Sequence, residues 1–512
     1  MGWKFYGRRS ELEAMKQLLS RQQWFFCAIS GRRRIGKTSL IKEALTSLPQ
    51  ASEAVYLQIP DSDEHDVVSV FVDTLAGIGA ERLPSTVDLS KMHRFADMVQ
   101  VIGHLCRAGW IVILDEFQYF NRKSLSSFAS LLQAEVDQLF GGNQGGIFVL
   151  GSIHTEMTAL LEDRSSPLYA RVTDRMTLEH WDFATLYEVF EDQGIDDPAD
   201  WLSLWGLFEG VPKFYRDCVT QGVFQQKNVL GESADLKMGM RAVEALFFSP
   251  TAPLLEEAAT LFVRELRGAS VSILRMLAQQ QPCVYKQLSD AYRNSTGDDK
   301  PISNYLNVLM ERYRLVESQH PVFSQGVGSR QARYLLGDNF LAAWLAAIEP
   351  GVQASRVQPA ARALSITAQK LATHEGHVFE RMVRKLMSDA SRLDVGDFPL
   401  TDTVTGYWNR ARDAARLIEI DVVAINETDR TVRFGSCKRS ASKHDRVSLM
   451  KTEQHIADFL RTSTGRRFAG WKQQRALYAP EFSASLRESL ETAGWICVDL
   501  RDFRQWFAQV QT

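Results

Sequence analysis

The sequence lacks two features that define large classes of protein, namely clustered cysteines and long apolar runs. Its six cysteines lie far apart without a CxxC pair, which argues against a disulfide framework and against a structural zinc site. No stretch approaches the roughly 18 uncharged apolar residues that a membrane-spanning helix needs. The charged opening, MGWKFYGRRSELEAM, is not typical of a secretory signal. These absences predict a cytoplasmic, multidomain protein with reduced thiols and no membrane partner.

The sequence also lacks a strong excess of either charge, since its net charge is −3. Basic and acidic residues are nevertheless unevenly distributed along the chain. Residues 351–512 contain 25 Lys and Arg against 19 Asp and Glu, whereas the rest of the chain contains 34 against 43. A basic final third is compatible with a polyanionic partner, and equally with a solvated charged surface. Composition alone leaves both interpretations open.

Apolar runs separated by helical patterns predict an α/β multidomain chain. Strands alternating with helices are typical of a parallel sheet that is covered on both faces. The predicted strands are residues 24–30, 54–59, 110–114 and 147–150.

After about Trp181 the pattern becomes helical. It then predicts three helices followed by a two-stranded hairpin, which is the order of a winged helix, and Pro350-Gly351 is interpreted as the next boundary. A helix, two strand-like segments and further helix follow. The predicted domains are 1–180, 181–265, 266–350 and 351–512.

Residues 31–38, GRRRIGKT, match the phosphate-binding pattern GxxxxGK[ST] without a mismatch. The pattern lies between a predicted strand and a predicted helix, where backbone N–H groups and a helix N-terminus face the phosphates. Lys37 is expected to reach the β- and γ-phosphates, and the Thr38 hydroxyl to bind Mg²⁺. ATP and Mg²⁺ are therefore the predicted cofactors. The predicted nucleotide-binding residues here are Gly31, Arg32, Arg33, Arg34, Ile35, Gly36, Lys37, Thr38 and Ser39.

A second motif, WIVILDE, ends in Asp115-Glu116. A buried strand that delivers two acidic residues downstream of a phosphate-binding loop is the Walker B arrangement. Asp115 is expected to hold Mg²⁺, and Glu116 to orient the attacking water as a catalytic residue.

Three further polar residues are candidates for sensing the nucleotide. Ser152 ends the run IFVLGS, where it is interpreted either as a γ-phosphate sensor or as a plain loop serine. Arg171 and Arg175 lie in SPLYARVTDRM, and either could serve as an arginine finger because a guanidinium matches phosphate geometry.

The segments FYGRRSEL, SGRRRIGKTSL, LDEFQYF and SPLYAR, in this order, resemble the archaeal-type ATPases of the STAND branch of AAA+ proteins. The resemblance continues through EGVPK at 209–213, and it implies that Pro212 lies near the nucleotide and reports its state to a helical lid at 181–265. Tyr169-Ala170-Arg171 departs from the family's Tyr-Gly-Arg but keeps the arginine. The resemblance implies either a homo-oligomer with a shared arginine finger or a monomer holding ADP.

The predicted winged helix at 266–350 has its recognition position at residues 301–315. Asn304, Asn307, Arg312 and Arg314 could contact DNA there, whereas Glu311 opposes it. Winged helices of this family also serve as clamps between domains, so DNA contact and a structural role both stay open.

Residues 366–508, within the predicted domain 351–512, resemble the C-terminal domain of these ATPases, whose layout is similar to PD-(D/E)XK nucleases. The resemblance implies Glu380, Glu419 and Asp421 as metal ligands and Asp421 and Lys438 as catalytic residues. Ser436 stands where a second acidic ligand is expected. An active nuclease, an inactive binding domain and a misread strand pair are the three interpretations.

A cluster of basic residues around this site favours a phosphate-bearing partner. The leading hypothesis is an ATP-driven switch that acts on DNA in processing or defence. The alternatives are a signalling or assembly ATPase without nucleic-acid contact, and an ATP-gated, Mg²⁺-dependent nuclease. The basic residues are Arg433, Lys438, Arg439, Lys443, Arg446, Arg466 and Arg467.

Overall fold

The computed structural model divides into two compact units, residues 2–181 with 211–213 and residues 182–210 with 214–512. Among the residues described, no helix combines the length and the apolar composition that crossing a membrane requires. The structure describes residues 3–21, 23–46, 53–152, 154–225, 237–255, 266, 268–297, 300–324, 331–398, 401–410 and 416–510.

The first unit is built on a five-stranded, all-parallel sheet with the strand order β2-β3-β4-β1-β5. The four predicted strands are present, and a fifth strand pairs with β1. The strands are β1 Phe25–Gly31, β2 Ala54–Gln58, β3 Ile111–Asp115, β4 Gly146–Gly151 and β5 Asp174–Leu178.

Helices cover both faces of this sheet, as the apolar runs predicted. Alternate residues of β1 point to opposite faces, so that Phe26 belongs to one apolar core and Phe25 to the other. The helices are α1 Arg9–Ser20 and α2 Lys37–Thr46 on the Phe25 face, and α3 Glu64–Ile78, α4 Phe95–Arg107, α5 Ser127–Leu139 and α6 His154–Leu161 on the Phe26 face.

Strand β5 was not predicted because its sequence, DRMTL, is largely polar. It pairs only with β1 and lies at the edge of the sheet, where just Leu178 of its five residues is buried. The segment SPLYARVTDRM, which contains both candidate arginine fingers, therefore runs into an edge strand, and Arg175 is part of that strand.

The second unit begins with helices, as expected for residues 181–265; that segment is described except at 226–236 and 256–265. The assignment of this segment as a lid stays a prediction for the described residues. The rest of the predicted lid, 226–236 and 256–265, lies outside them. The helices are α7 Phe183–Asp192, α8 Pro198–Phe208, α9 Pro212–Thr220 and α10 Met238–Val243, of which α9 starts within the first unit.

Three helices and a three-stranded antiparallel sheet of order β6-β8-β7 follow. The three helices and the β7–β8 hairpin follow one another as predicted for residues 269–345, whereas β6, between the first two helices, was not predicted. The tip of the hairpin, 325–330, lies outside the described residues. The elements are α11 Ala269–Gln280, β6 Cys283–Val284, α12 Tyr285–Thr296, α13 Ser303–Asn307, β7 Val316–Gln319 and β8 Arg333–Leu336.

The boundary predicted at Pro350-Gly351 is a continuous helical region instead. Residues 339–355 are helical without a break, because a π-helical segment, Trp344–Ile348, leads directly into the helix that contains Pro350. Gly351 packs so closely that a β-carbon there would meet the Thr367 hydroxyl at 2.0 Å. The helices are α14 Asn339–Ala343, α15 Glu349–Ser355 and the 33-residue α16 Ala360–Arg392.

The last part of the chain forms a second five-stranded sheet, of order β13-β12-β11-β10-β9. Strands β9 to β11 are antiparallel neighbours, whereas β11, β12 and β13 run parallel. The predicted strands at LIEIDVVAI and TVRFGSCK are present as β10 and β11. The elements are β9 Thr403–Trp408, β10 Glu419–Asn426, β11 Thr431–Cys437, α17 Arg446–Arg461, β12 Lys472–Ala479, α18 Ala484–Thr492, β13 Ile496–Asp499 and α19 Leu500–Ala508.

The edge strand β9 of this sheet is covered by the chain that follows β7. Val322 N donates to Gly406 O at 2.9 Å, and Trp408 Nε1 donates to Gln331 O at 2.8 Å. Val322 also belongs to the apolar core beneath β9 and β10. Covering an edge strand removes a surface on which other chains could pair.

Arg433 was placed in the basic cluster that faces a partner, and this placement is wrong. It lies on β11 with 1% of its surface exposed. Its guanidinium donates to Asp397 Oδ1 and Gln474 Oε1, both at 2.8 Å, and lies over the Phe398 ring. A buried arginine and a surface arginine are indistinguishable by residue type, and here Asp397 neutralises the charge within the fold.

We expect Arg433→Met to lower the stability of the C-terminal part by about 1–3 kcal/mol, because it removes the buried guanidinium that donates hydrogen bonds to Asp397 and Gln474. Thermal and urea unfolding measure the change. The exposed Arg466→Met is the matched control and should change stability by about 0.5 kcal/mol or less. Equal stability of the two variants would contradict a structural role for Arg433.

Candidate functional site

The phosphate-binding loop starts where β1 ends and α2 begins, and its backbone requires glycine at two positions. Gly31 has φ 150°, and a β-carbon there would lie 2.7 Å from the Leu178 carbonyl oxygen of neighbouring β5. Gly36 has φ 96°, a region that other residues rarely adopt. The loop therefore curls tightly before the first turn of α2, which begins at Lys37.

Lys37 is held inside this loop. Its Nζ donates to Gly31 O at 2.8 Å and to Arg32 O at 3.0 Å, and 8% of its surface is exposed. Burial lowers the pKa of Lys37 to about 8, although the Glu116 and Asp115 carboxylates oppose the decrease. An ammonium group with so little water around it gains strongly from a phosphate oxygen.

Asp115, at the end of β3, receives three hydrogen bonds. Thr38 Oγ1 donates to Oδ2 at 2.8 Å and Tyr56 Oη to the same oxygen at 2.5 Å, while Glu116 N donates to Oδ1 at 2.8 Å. Thr38 and Asp115 thus bring a hydroxyl and a carboxylate together, which are the oxygen donors that Mg²⁺ prefers. Tyr56 was not predicted; its pKa is raised by burial and by the Asp115 carboxylate.

Glu116 adopts a left-handed backbone conformation, with φ 58°, directly after β3. Ser152 Oγ donates to Glu116 Oε2 at 3.3 Å, and Gln118 Nε2 donates to the same carboxylate oxygen. Arg33 Nε donates to Ser152 Oγ at 3.4 Å. The predicted sensor Ser152 therefore lies between the loop arginine and the predicted catalytic Glu116.

Arg8 supports the loop from outside, and sequence reasoning missed it. Its guanidinium donates to Ile35 O at 3.2 Å and to the Glu179 carbonyl, and it pairs with Glu11 at 3.0 Å. The available signal was its place in the segment FYGRRSEL, which helped to carry the family resemblance.

The remaining predicted residues of the first unit lie at graded distances from this centre. Pro212 is close, because its Cγ lies 3.8 Å from the position of a β-carbon on Gly36. Ser39 is exposed in the first turn of α2. Arg171 forms a bidentate pair with Asp137, at 2.7 and 2.9 Å, and Arg175 pairs with Glu162 at 2.7 Å. A role for either arginine at a nucleotide stays a prediction.

The second unit contains a cavity of about 60 Å³ lined by Glu380 of α16 and by Glu419 and Asp421 of β10, the three predicted metal ligands. Asp421 Oδ2 accepts from Cys437 N at 2.8 Å and from Ser436 Oγ at 3.3 Å, and Lys438 Nζ is 3.9 Å from it. Ser436 thus lies where an acidic second ligand was expected.

Burial raises the pKa of Glu380, and the charge of Asp421 adds to the increase. Burial also raises the pKa of Asp421, an effect that Lys438 opposes. Two carboxyl groups in one buried cavity repel each other unless a proton or a cation lies between them.

Glu419 forms an ion pair with the β7–β8 hairpin and stands apart from the Glu380–Asp421 pair. Arg333 Nη1 of β8 lies 2.7 Å from Glu419 Oε1, and the Arg333 guanidinium lies 4.5 Å from the centre of the Trp408 ring. Among the described residues, one group of three potential metal ligands has its ligand atoms within 4.8 Å of one another. It consists of the exposed Asp63, His65 and Asp66. Glu380, Glu419 and Asp421 do not close around a cation in this conformation.

We expect Tyr56→Phe to weaken the Mg²⁺ dependence of ATP turnover, raising the half-saturating Mg²⁺ concentration by about tenfold. The physical reason is that Asp115 loses one of the two hydroxyl donors that orient its Oδ2. A titration of turnover against Mg²⁺ measures the change. Tyr305→Phe, a partly exposed tyrosine of α13, is the control; an unchanged titration in Tyr56→Phe would count against this role.

Comparison with known proteins identifies two regions of the chain. Residues 5–214 match the family model described as an ATPase domain predominantly from Archaea. Residues 344–449 match the model described as archaeal and bacterial proteins of unknown function. Along nearly its whole length, 98%, the chain is 23% identical over 523 residues to an uncharacterized protein of Methanocaldococcus jannaschii, which is covered completely.

Two solved structures are similar at a lower level. The Walker-type ATPase of Pyrococcus abyssi has a TM-score of 0.47 at 18% identity, with 67% of this chain and 96% of that chain covered. The ORC2 protein of Aeropyrum pernix, solved with ADPNP and ADP, has a TM-score of 0.46 at 16% identity, with 73% and 96% covered.

The two matched regions confirm the family resemblance that the motifs predicted. Residues 5–214 are similar to archaeal-type ATPase domains, and residues 344–449 are similar to a second group of archaeal and bacterial proteins, in the order that the motifs predicted.

Proposed function

We propose that this protein is an ATP-driven switch that acts on nucleic acid. The observation that carries the ATPase part is the convergence of Lys37, the Thr38–Asp115 pair and the Glu116–Ser152 pair at one end of the parallel sheet. Ligands of parallel α/β sheets bind at the carboxyl ends of the strands, which is where β1, β3 and β4 place these residues.

Each of these residues has a defined task in the proposed reaction. Lys37 holds the β- and γ-phosphates, and Thr38 and Asp115 hold Mg²⁺, which draws charge from the phosphate oxygens. Glu116 orients the attacking water and accepts its hydrogen bond. Ser152 and Arg33 sense the γ-phosphate, because both lie within hydrogen-bond distance of the Glu116 network. Arg32 to Arg34 complete the loop, and Ser39 lies in the first turn of the helix that follows it.

The nucleic-acid part rests on exposed polar and basic side chains. We assign residues 266–350 as a winged helix, in which α13 exposes Asn304 and Asn307. The π-helical segment Val308–Arg312 that continues α13 exposes Arg312, and Arg314 is exposed just beyond it. Glu311 is exposed on the same face and disfavours one contact with phosphate. Residues 351–512 add exposed Lys443, Arg446, Arg466 and Arg467.

The Arg171–Asp137 pair bears on assembly. An arginine finger acts from a neighbouring subunit, so Arg171 would have to leave Asp137 before reaching a second nucleotide. The pair is partly exposed and therefore weak, on the order of 1 kcal/mol or less. A homo-oligomer formed in the ATP state is compatible with this cost.

Steady-state ATP turnover of the purified protein, with and without duplex DNA, tests the proposal. Wild type is expected to turn over faster with DNA, and Glu116→Gln to lose about 10²- to 10⁴-fold in turnover while still binding nucleotide. DNA binding should weaken steeply as salt rises, since phosphate contacts release counterions. Glu156→Gln, beyond the Walker B segment, is the control. Turnover that ignores DNA, with no salt-dependent binding, would favour an assembly ATPase without nucleic-acid contact.

A second candidate function is a Mg²⁺-dependent nuclease in the C-terminal part. The observation that favours it is that α16, β10 and β11 bring Glu380, Asp421 and Lys438 to one cavity. In this conformation the acids do not form a closed set of ligands, and Ser436 is a poor ligand for Mg²⁺ compared with a carboxylate. We therefore rank cutting below binding.

Cleavage of supercoiled plasmid in Mg²⁺ tests the nuclease directly. If the cavity cuts DNA, Asp421→Asn should abolish nicking, whereas ATP turnover should stay at the wild-type level because Asp421 lies in the other unit. Ser436→Asp, which supplies the missing carboxylate next to Asp421, should increase nicking. If neither wild type nor Ser436→Asp nicks DNA, the domain is a binding domain only.

A further inference from the structure

Glu209 combines burial, charge and an unusual backbone conformation. It follows α8 with φ 47° and ψ −128°, a region that residues with a β-carbon rarely occupy. Its side chain is 4% exposed. A strained backbone persists only where surrounding contacts determine it, and such positions are frequent in switch regions.

The contacts that hold Glu209 come from two distant parts of the chain. Arg381 Nη2 of α16 lies 3.0 Å from Glu209 Oε1, and Asn339 N donates to Glu209 Oε2 at 3.3 Å. Arg381 also donates to Gly337 O at 2.9 Å and to Asn339 Oδ1 at 3.2 Å. Glu317 of β7 lies 3.6 Å from the same guanidinium. We call these four side chains, Glu209, Glu317, Asn339 and Arg381, the Glu209 junction.

The junction lies between two functional regions along the chain. Three residues after Glu209 comes Pro212, whose Cγ is 3.8 Å from the position of a β-carbon on Gly36 in the phosphate-binding loop. On the other side, Arg381 follows Glu380 in α16, and both line the cavity that contains Asp421. The hairpin strands β7 and β8 are joined to the same junction through Glu317 and Gly337.

We propose that the Glu209 junction transmits the nucleotide state of the phosphate-binding loop to the β7–β8 hairpin and to α16. A shift of Pro212 reaches Glu209 through Gly210 and Val211 alone, and Gly210 imposes no side-chain barrier. Relaxation of the Glu209 backbone moves its carboxylate away from Arg381, and the freed guanidinium no longer holds the end of the hairpin. The ion pair and the strained backbone thus form a two-state element that nucleotide biases. This inference rests on the proposed function in that it requires nucleotide binding at Lys37.

A role in switching accounts for this buried ion pair better than a role in stabilising the fold. A buried ion pair is a poor source of stability, because removing two charges from water offsets most of their attraction. Its more specific effect is to fix one arrangement of the segments that supply it. Here those segments are the end of α8, the ends of β7 and β8, and α16.

Hydrogen–deuterium exchange of the full chain, saturated with either Mg²⁺-ADP or a non-hydrolysable Mg²⁺-ATP analogue, tests the proposal. In wild type, exchange in 333–343 and 377–392 should differ between the two nucleotides. Glu209→Gln keeps the size and one acceptor but loses the charge, so the difference should disappear while nucleotide still binds. Asp389→Asn, which changes another buried carboxylate of α16 that pairs with Lys385, is the matched control and should keep the difference.

The double variant Glu209→Gln/Arg381→Gln guards against simple misfolding, because it leaves no unpaired charge in the junction. It too should lose the nucleotide-dependent difference. Equal exchange of α16 in both nucleotide states of wild type, or a difference that survives in both variants, would overturn the proposal. Failure of wild type to bind either nucleotide would instead refute the ATPase assignment, which separates the two.

Discussion

The Asp115 carboxylate joins the two segments on which the proposed nucleotide site depends. Thr38 reaches it from the first turn of α2 and Tyr56 from β2, both on Oδ2. Because α2 follows the phosphate-binding loop and β3 ends at Asp115, these bonds fix the loop relative to the sheet. A carboxylate with 6% exposure needs hydrogen-bond donors from inside the protein. Thr38 and Tyr56 supply two of them, which fixes their side chains relative to Asp115. Lys37, which precedes Thr38, and Glu116, which follows Asp115, are thereby fixed relative to each other.

This part of the molecule was predictable because its signals are local. A strand, a glycine loop and a helix follow one another without interruption, and the acidic pair ends a buried apolar run. Tyr56 could not be predicted, because its role depends on β2 lying beside β3, in the register that pairs Gln58 with Asp115. Strand β5 was missed for a related reason, since an edge strand with polar, half-exposed residues lacks the apolar signal of its central neighbours.

The C-terminal part was predicted less completely. Strands β10 and β11 are apolar and central, whereas β9, β12 and β13 were not recognised, as each carries polar or small residues along part of its length. Arg433 shows why counting charges cannot locate a basic surface. A basic residue that is buried in a sheet adds to the total charge but is not exposed to a partner. Pro350-Gly351 shows the limit of turn signals, because both residues lie inside a helical region, where Gly351 allows close contact with Thr367. The predicted ligands Glu380, Glu419 and Asp421 line one cavity, but whether Glu419 is available depends on Arg333, 86 residues earlier in the chain.

The 33-residue helix α16 connects the buried charges of the second unit. Consecutive residues Glu380 and Arg381 belong to different networks, the first with Asp421 and the second with Glu209. Neighbouring residues of a helix cannot move independently, because the backbone hydrogen bonds fix their relative positions. A displacement of the helix backbone at Arg381 therefore displaces Glu380 as well, which is the route by which the proposed rearrangement at Glu209 would reach the acids of the cavity. Glu209 and Asp421, 212 residues apart in the sequence, are thereby linked, because a single helix carries a partner of each.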